Sequence, residues 1–143
     1  MSSNNFIIKA YQPEYEDDVI ELWHRCGLYR PWNDPVKEIE RKLKVNPELF
    51  LVGLIDGKVA ATVMGGYEGH RGWLSYVAVD PAYRHRGLGR QIMQAIEAEL
   101  KKLGCPKINI QIRNGNEDVA SFYQSIGYKP DDVFGMGKRL VDD

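Results

Sequence analysis

The sequence predicts a mixed α/β domain with the element order β-α-α-β-β-β-α-β-α-β-β, and three observations carry that prediction. An Asp56-Gly57 hairpin signal joins the apolar runs 49–55 and 58–67, and a third run at 73–79 continues the meander. Gly87 and Gly89 then open a helix on which Leu88, Ile92, Met93, Ile96, Leu100 and Leu103 recur at helical spacing. That helix leads to the alternating Ile108, Ile110 and Ile112, which makes a βαβ unit with its two strands parallel.

The elements follow in order. Residues 6–10 read as a first strand behind a polar start. Pro13 and Glu14 open a helix carrying Val19, Leu22, Trp23 and Cys26 on one side, and Gly27 stops it. An irregular link follows, with Tyr29 and Trp32. Pro35 then starts a second helix to Asn46, with Val36, Ile39 and Leu43 as its inner edge. After the meander and the long helix, Gly104 and Pro106 end the helix and a strand runs over 107–112. Asn116 caps a last helix bearing Val119, Phe122, Tyr123 and Ile126, stopped by Gly127. Residues 128–129 and 133–141 read as the two final strands, separated by Pro130-Asp131-Asp132.

Composition narrows the classes. The 143 residues suit one domain, 1–143, and 43% apolar with 27% charged residues is globular. A net charge of -1 disfavours a general nucleic-acid binder. Cys26 and Cys105 are the only cysteines and lack CxxC spacing, so neither a metal site nor a disulfide framework is expected. No run reaches the roughly 20 residues of a membrane span, and no leader is visible. A soluble cytoplasmic protein, with no membrane partner, is the expectation.

Chemistry concentrates between strand four and the long helix. The loop carries Arg84, His85 and Arg86, then Gly87, Leu88, Gly89 and Arg90, and no acidic residue occurs between Asp80 and Glu97. A helix mouth presents orphan N–H groups and the positive dipole end, and glycines let a phosphate approach the backbone. Arginines add forked contacts to it. The Rossmann spacing requires Gly or Ala at position 92, which is Ile, and the Walker Gly-Lys-Ser/Thr is absent. A diphosphate cradle is the reading that remains.

Arg84-x-x-Gly87-x-Gly89 resembles the R/Q-x-x-G-x-G/A motif with which GNAT-superfamily N-acetyltransferases hold the pyrophosphate of acetyl-coenzyme A. Asn116, Phe122, Tyr123, Gly127 and Tyr128 resemble the family's N-x-x-A-x-x-F/Y-Y-x-x-x-G-F/Y segment, with Ala120 one residue past the motif's alanine, and the two motifs stand in the family's order within a likeness of element order from about Phe6 to Leu140. The resemblance implies strands four and five splayed around the pantetheine arm of acetyl-CoA. It implies backbone contacts from Val77 and Val79, and a bulge near Ala78 that aims an N–H at the thioester carbonyl. It adds Asn116 and Phe122 to the cofactor contacts.

The same resemblance makes Tyr123 the acid that protonates the leaving thiolate, since a phenol with a reference pKa of about 10 is protonated at neutral pH. Its helical spacing also suits a core tyrosine. The family's strand-four glutamate falls on Trp73 here, leaving Glu68 and His70 in the preceding turn as candidate bases acting through water. Tyr29 and Trp32 can wall an acceptor pocket, or Trp32 and Pro31 simply pin the link to the core, and Asp34 or Glu68 can hold an ammonium. The expectation is acetyl transfer to a primary amine, small-molecule or peptide, by a possible homodimer. A coenzyme A sensor without turnover is the alternative.

Overall fold

The computed structural model describes residues 5–143. Its strands are β1 (Phe6–Ala10), β2 (Phe50–Ile55), β3 (Lys58–Tyr67), β4 (Gly72–Val79) and β5 (Ile108–Ile110). Its helices are α1 (Glu16–Arg25), α2 (Pro35–Lys42), α3 (Leu88–Lys102) and α4 (Glu117–Ser125). The strands form one sheet in the order β1-β2-β3-β4-β5, antiparallel except for the β4–β5 pair. The hairpin dipeptide behaves as its chemistry demands: Asp56 and Gly57 both take positive φ, 51° and 79°.

Period-two alternation sends the strand side chains to two covered faces. One face packs Val19, Leu22, Trp23 and Ile39 of α1 and α2 on Phe50, Val52, Met64 and Ala78. The other packs Ile92, Met93, Ile96 and Leu100 of α3 on Leu51, Ala61, Val63 and Leu74, and Tyr123 of α4 joins it. Every residue of β2 is buried, as expected for a strand covered on both sides. Among the described residues no helix is long and apolar enough to cross a membrane.

The structure departs from the sequence reading at four places. The strand expected over 107–112 is paired only over Ile108–Ile110. The second helix ends at Lys42, and of the inner edge expected for it only Ile39 is buried, Val36 and Leu43 being 38% and 37% exposed. Leu103, expected on the inner face of α3, is exposed beyond its end. The two final strands, 128–129 and 133–141, do not form. Pro130 has no N–H for a ladder, and the segment is tied by side chains to other parts of the surface. Lys107 pairs with Asp131 at 2.8 Å, Arg139 Nη1 donates to Asn33 Oδ1 at 3.0 Å, and Arg41 pairs with Asp143 at 2.7 Å. The tail thus runs past β5 toward α2, leaving Val133, Phe134, Met136 and Leu140 exposed.

Candidate active site

The loop after β4 is held by its own short-range chemistry. Asp80 accepts from the Ala82 N–H at 3.0 Å, starting a single 3-10 turn over Pro81–Tyr83, and pairs with Arg25 of α1 at 2.9 Å. His85 adopts φ 66° and Gly87, the N-cap of α3, φ 79°. A left-handed N-cap suits glycine, and a side chain there is strained. Gln91 is the first residue of α3 whose N–H finds a backbone acceptor, Gly87 O at 3.1 Å. Among the described residues the N–H groups of Gly87, Leu88, Gly89 and Arg90 have none. Arg84, His85, Arg86 and Arg90 are exposed around them, and the Arg86 guanidinium lies 5.4 Å from the centre of the Tyr83 ring. Leu88 is buried and roots the mouth in the core. The result is an exposed row of donors under a positive rim, suited to a polyanion such as a diphosphate.

Directly upstream, β4 offers an open edge. It pairs with β5 only through Gly72–Ile108, Trp73–Asn109 and Leu74–Ile110, after which the strands part. The Asp80 N–H goes to Ala60 O on β3 at 2.8 Å, so alternation turns the Val79 N–H toward the open edge, and the Tyr76 carbonyl accepts from Thr62 Oγ1 of β3, which in a trans peptide sends the Val77 N–H the opposite way. The Val79 carbonyl there accepts from the Cys26 thiol at 3.3 Å; burial pushes that thiol up, with the Arg84 guanidinium opposing. A bulge interrupts the other edge. Thr62 faces Ala78 while Met64 faces Ser75, so β4 holds one residue more than β3. The extra residue falls at Tyr76–Val77, ahead of the Ala78 that the sequence pointed to, because Tyr76 takes φ 50°.

That backbone conformation is fixed from three sides. The Tyr76 ring stacks on Trp23 with centroids 4.0 Å apart. Thr62 Oγ1 donates to the Tyr76 carbonyl at 2.8 Å and itself accepts from Trp23 Nε1 at 3.0 Å. The Tyr76 hydroxyl donates to Glu38 Oε2 of α2 at 3.2 Å. Burial, and then the Glu38 carboxylate, push the Tyr76 phenol well above its ordinary range.

α4 reaches the cradle from the other face. A Cβ added to Gly89 would lie 3.1 Å from Phe122 Cζ and 3.6 Å from Val79 Cγ2, so the α3 mouth, the end of β4 and Phe122 meet at one point. Tyr123 is 7% exposed and edge-on to both Phe122 and Tyr128, and it lines the open cleft between β5, α4 and the tail. Burial alone pushes its phenol up to about 12. Asn116 occupies the N-cap position of α4 without making the side-chain cap bond that the sequence suggested. Its backbone there has φ -90° and ψ 71°, and the side chain is exposed.

The other sequence candidates are dispersed. Glu68 Oε1 accepts from the N–H groups of His70 and Arg71 at 2.6 and 2.7 Å, and the Arg71 and His70 amides hold its carboxyl below the ordinary range. Glu68 and His70 are exposed in the turn before Gly72, about 23 Å of extended strand from Val79. Asp34 is the N-cap of α2, accepting from Val36 and Lys37 N–H. Tyr29 stacks on His24 at 4.7 Å and, with Trp23, Asn33 and Tyr76, lines a small cavity under the link. Trp32 is 49% exposed. Sequence reasoning missed Thr62, Tyr76 and Glu38. Only Thr62 had a signal, as a lone hydroxyl inside the apolar run 59–64.

Comparisons with known proteins agree with the fold. The Acetyltransferase (GNAT) family profile matches residues 5–128. An acetyltransferase of Yersinia pestis (strain Pestoides F) is 45% identical over 136 residues, covering 95% of this chain and 96% of the relative. Among solved structures, Ard1 from Thermoplasma volcanium superposes with TM-score 0.74 at 19% identity, over 86% of this chain and 82% of its own. AAC(6')-Iy in complex with the bisubstrate analogue CoA-S-monomethyl-acetylneamine superposes with TM-score 0.77 at 16% identity, over 94% and 99%.

Proposed function

This chain belongs to the GNAT acetyltransferase family and transfers acetyl from acetyl-CoA to an amine, and we propose that the amides at the mouth of α3 hold the diphosphate that aims the thioester. The observation that carries this reading is the row of four N–H groups, Gly87 to Arg90, that find no backbone acceptor among the described residues and stand directly beyond an open strand edge. Arg84, Arg86 and Arg90 supply the countercharge, and His85 and Leu88 shape and root the loop. The pantetheine arm then lies along Val77, Ala78 and Val79, with the Asn116 amide and the Phe122 ring on its far side. The CoA-containing bisubstrate analogue in the AAC(6')-Iy structure, on the same fold, supports an acyl-CoA as the ligand.

The acceptor nitrogen attacks the thioester carbonyl, and the thiolate leaves. Tyr123 protonates it in this reading. A phenol pushed up to about 12 keeps its proton throughout the neutral range and is a donor there. Tyr29 and Trp32 wall the acceptor side, where α1, the link and α2 meet β4. Asp34 acts on that side by holding the start of α2. Glu68 and His70 remain open to the acceptor only through water.

Titrating acetyl-CoA into the wild type and Gly87→Asp tests the cradle. The variant strains a left-handed position and places a carboxylate against the diphosphate, so affinity falls at least about 100-fold. Undiminished affinity contradicts the assignment. Thiol release across a panel of primary amines is measured alongside. Tyr123→Phe slows it by about 10- to 100-fold with acetyl-CoA affinity unchanged. Tight binding with no release from any amine marks a coenzyme A sensor instead.

A further inference from the structure

We propose that Glu38 of α2, held over the β4 bulge by the Tyr76 hydroxyl, is the group that takes the proton from the acceptor's ammonium. The inference rests on the acetyl-transfer reading above and supplies what β4 lacks, since no carboxylate stands between Gly72 and Val79. Tyr76 is the bulge residue next to Val77, whose N–H points away from the Tyr76 carbonyl that Thr62 of β3 holds. Its hydroxyl donates to Glu38 Oε2 at 3.2 Å, and Arg41 Nη2 donates to Oε1 at 2.7 Å. Each carboxylate oxygen keeps a lone pair, and the side chain is 26% exposed, so an incoming amine can reach it. The small cavity under the link opens beside the same Tyr76 ring, which lines it with Trp23 and Tyr29. Of the other candidate carboxylates, Asp34 holds the start of α2 through Oδ1, and Glu68 stands in the turn before Gly72, at the far end of β4 from Val79.

The charges around Glu38 come from each neighbouring element. Lys37 and Arg41 lie on α2, Tyr76 on β4, and Asp143 and Arg139 on the tail, with Asp143 pairing to Arg41 at 2.7 Å. Arg41 is thus shared between two carboxylates, which leaves Glu38 less than fully neutralised. In the step itself, the ammonium passes one proton to a Glu38 oxygen. The freed lone pair forms the C–N bond, and the C–S bond breaks with its electrons on sulfur. The second nitrogen proton offsets the one that the thiolate takes up, and Glu38 returns its proton to solvent. Tyr76 is a positioning residue that acts through Glu38.

The test is the pH dependence of thiol release with the most active of an alkylamine, tyramine and a short peptide with a free N-terminus, using wild type, Glu38→Gln and Tyr76→Phe. Glu38→Gln lowers kcat/KM about 100-fold at pH 7. The deficit shrinks by about tenfold per pH unit toward the amine's own pKa, because the variant must wait for neutral amine. Acetyl-CoA affinity stays unchanged. Tyr76→Phe keeps the stack on Trp23, loses less, and shifts the profile the same way. A Glu38→Gln profile parallel to wild type at every pH assigns Glu38 a packing role and overturns the inference while acetyl transfer stands. Bound acetyl-CoA with no thiol release from any amine overturns both.

Discussion

Thr62 is the one buried polar side chain of the core among the described residues, and its hydroxyl joins two elements that the site depends on. It accepts from Trp23 and donates to the Tyr76 carbonyl, so Thr62→Val leaves a buried indole N–H and a bulge carbonyl without partners. We expect a loss of about 1–3 kcal/mol in urea unfolding. Acetyl-CoA affinity should fall too, because the bulge loses the bond that holds its φ of 50°. Unfolding equal to wild type contradicts that role. At this scale the sequence was legible where residue type dictates backbone conformation, as at Asp56-Gly57 and Gly87. It was illegible at Tyr76, a non-glycine in a left-handed conformation imposed by tertiary stacking, and at Glu38, whose partner lies 38 residues away.

At the scale of elements, α2 positions both the link and Glu38. Its start rests on Asp34 Oδ1, which accepts from Val36 N at 2.9 Å, and its one fully buried side chain is Ile39. Asp34→Ala is expected to cost about 1 kcal/mol, read by thermal melting. It should raise the KM for the amine more than that for acetyl-CoA, because the cradle lies on a different helix. Equal changes in both constants contradict that division. The strands and helices through α4 were readable because apolar spacing alone sets which face is buried, as the Leu88–Ile92–Met93–Ile96–Leu100 stripe of α3 shows. The last two strands were misread because residues 128–129 and 133–141 carry apolar residues in no regular period, and local sequence does not say whether an edge is there to pair with.

At the scale of the molecule, the tail closes a circuit from β5 back to α2. Arg41 donates to Asp143 at 2.7 and 3.1 Å, and its guanidinium holds the Asp143 carboxyl at about 2, below the ordinary 3.8. A depressed carboxyl lends its stabilisation above the unfolded value and loses it as pH falls through the folded one. The tail's anchor is therefore complete above about pH 4 and lost toward pH 2. A carbon-detected NMR titration should place the Asp143 midpoint near the low value, and Arg41→Ala should return it to the ordinary carboxylate range. An unchanged midpoint in the variant contradicts the pairing.

In the proposed reading the arrangement has one polarity: the mouth of α3 grips a diphosphate at the end of β4, and the strand upstream handles the acyl group. A crystal structure with acetyl-CoA measures this directly. Diphosphate oxygens within about 3 Å of the amides of Gly87 to Arg90, with the pantetheine arm beside Val77 and Val79, are the expected result. A diphosphate bound elsewhere, with residues 84–90 closed against the core, contradicts it.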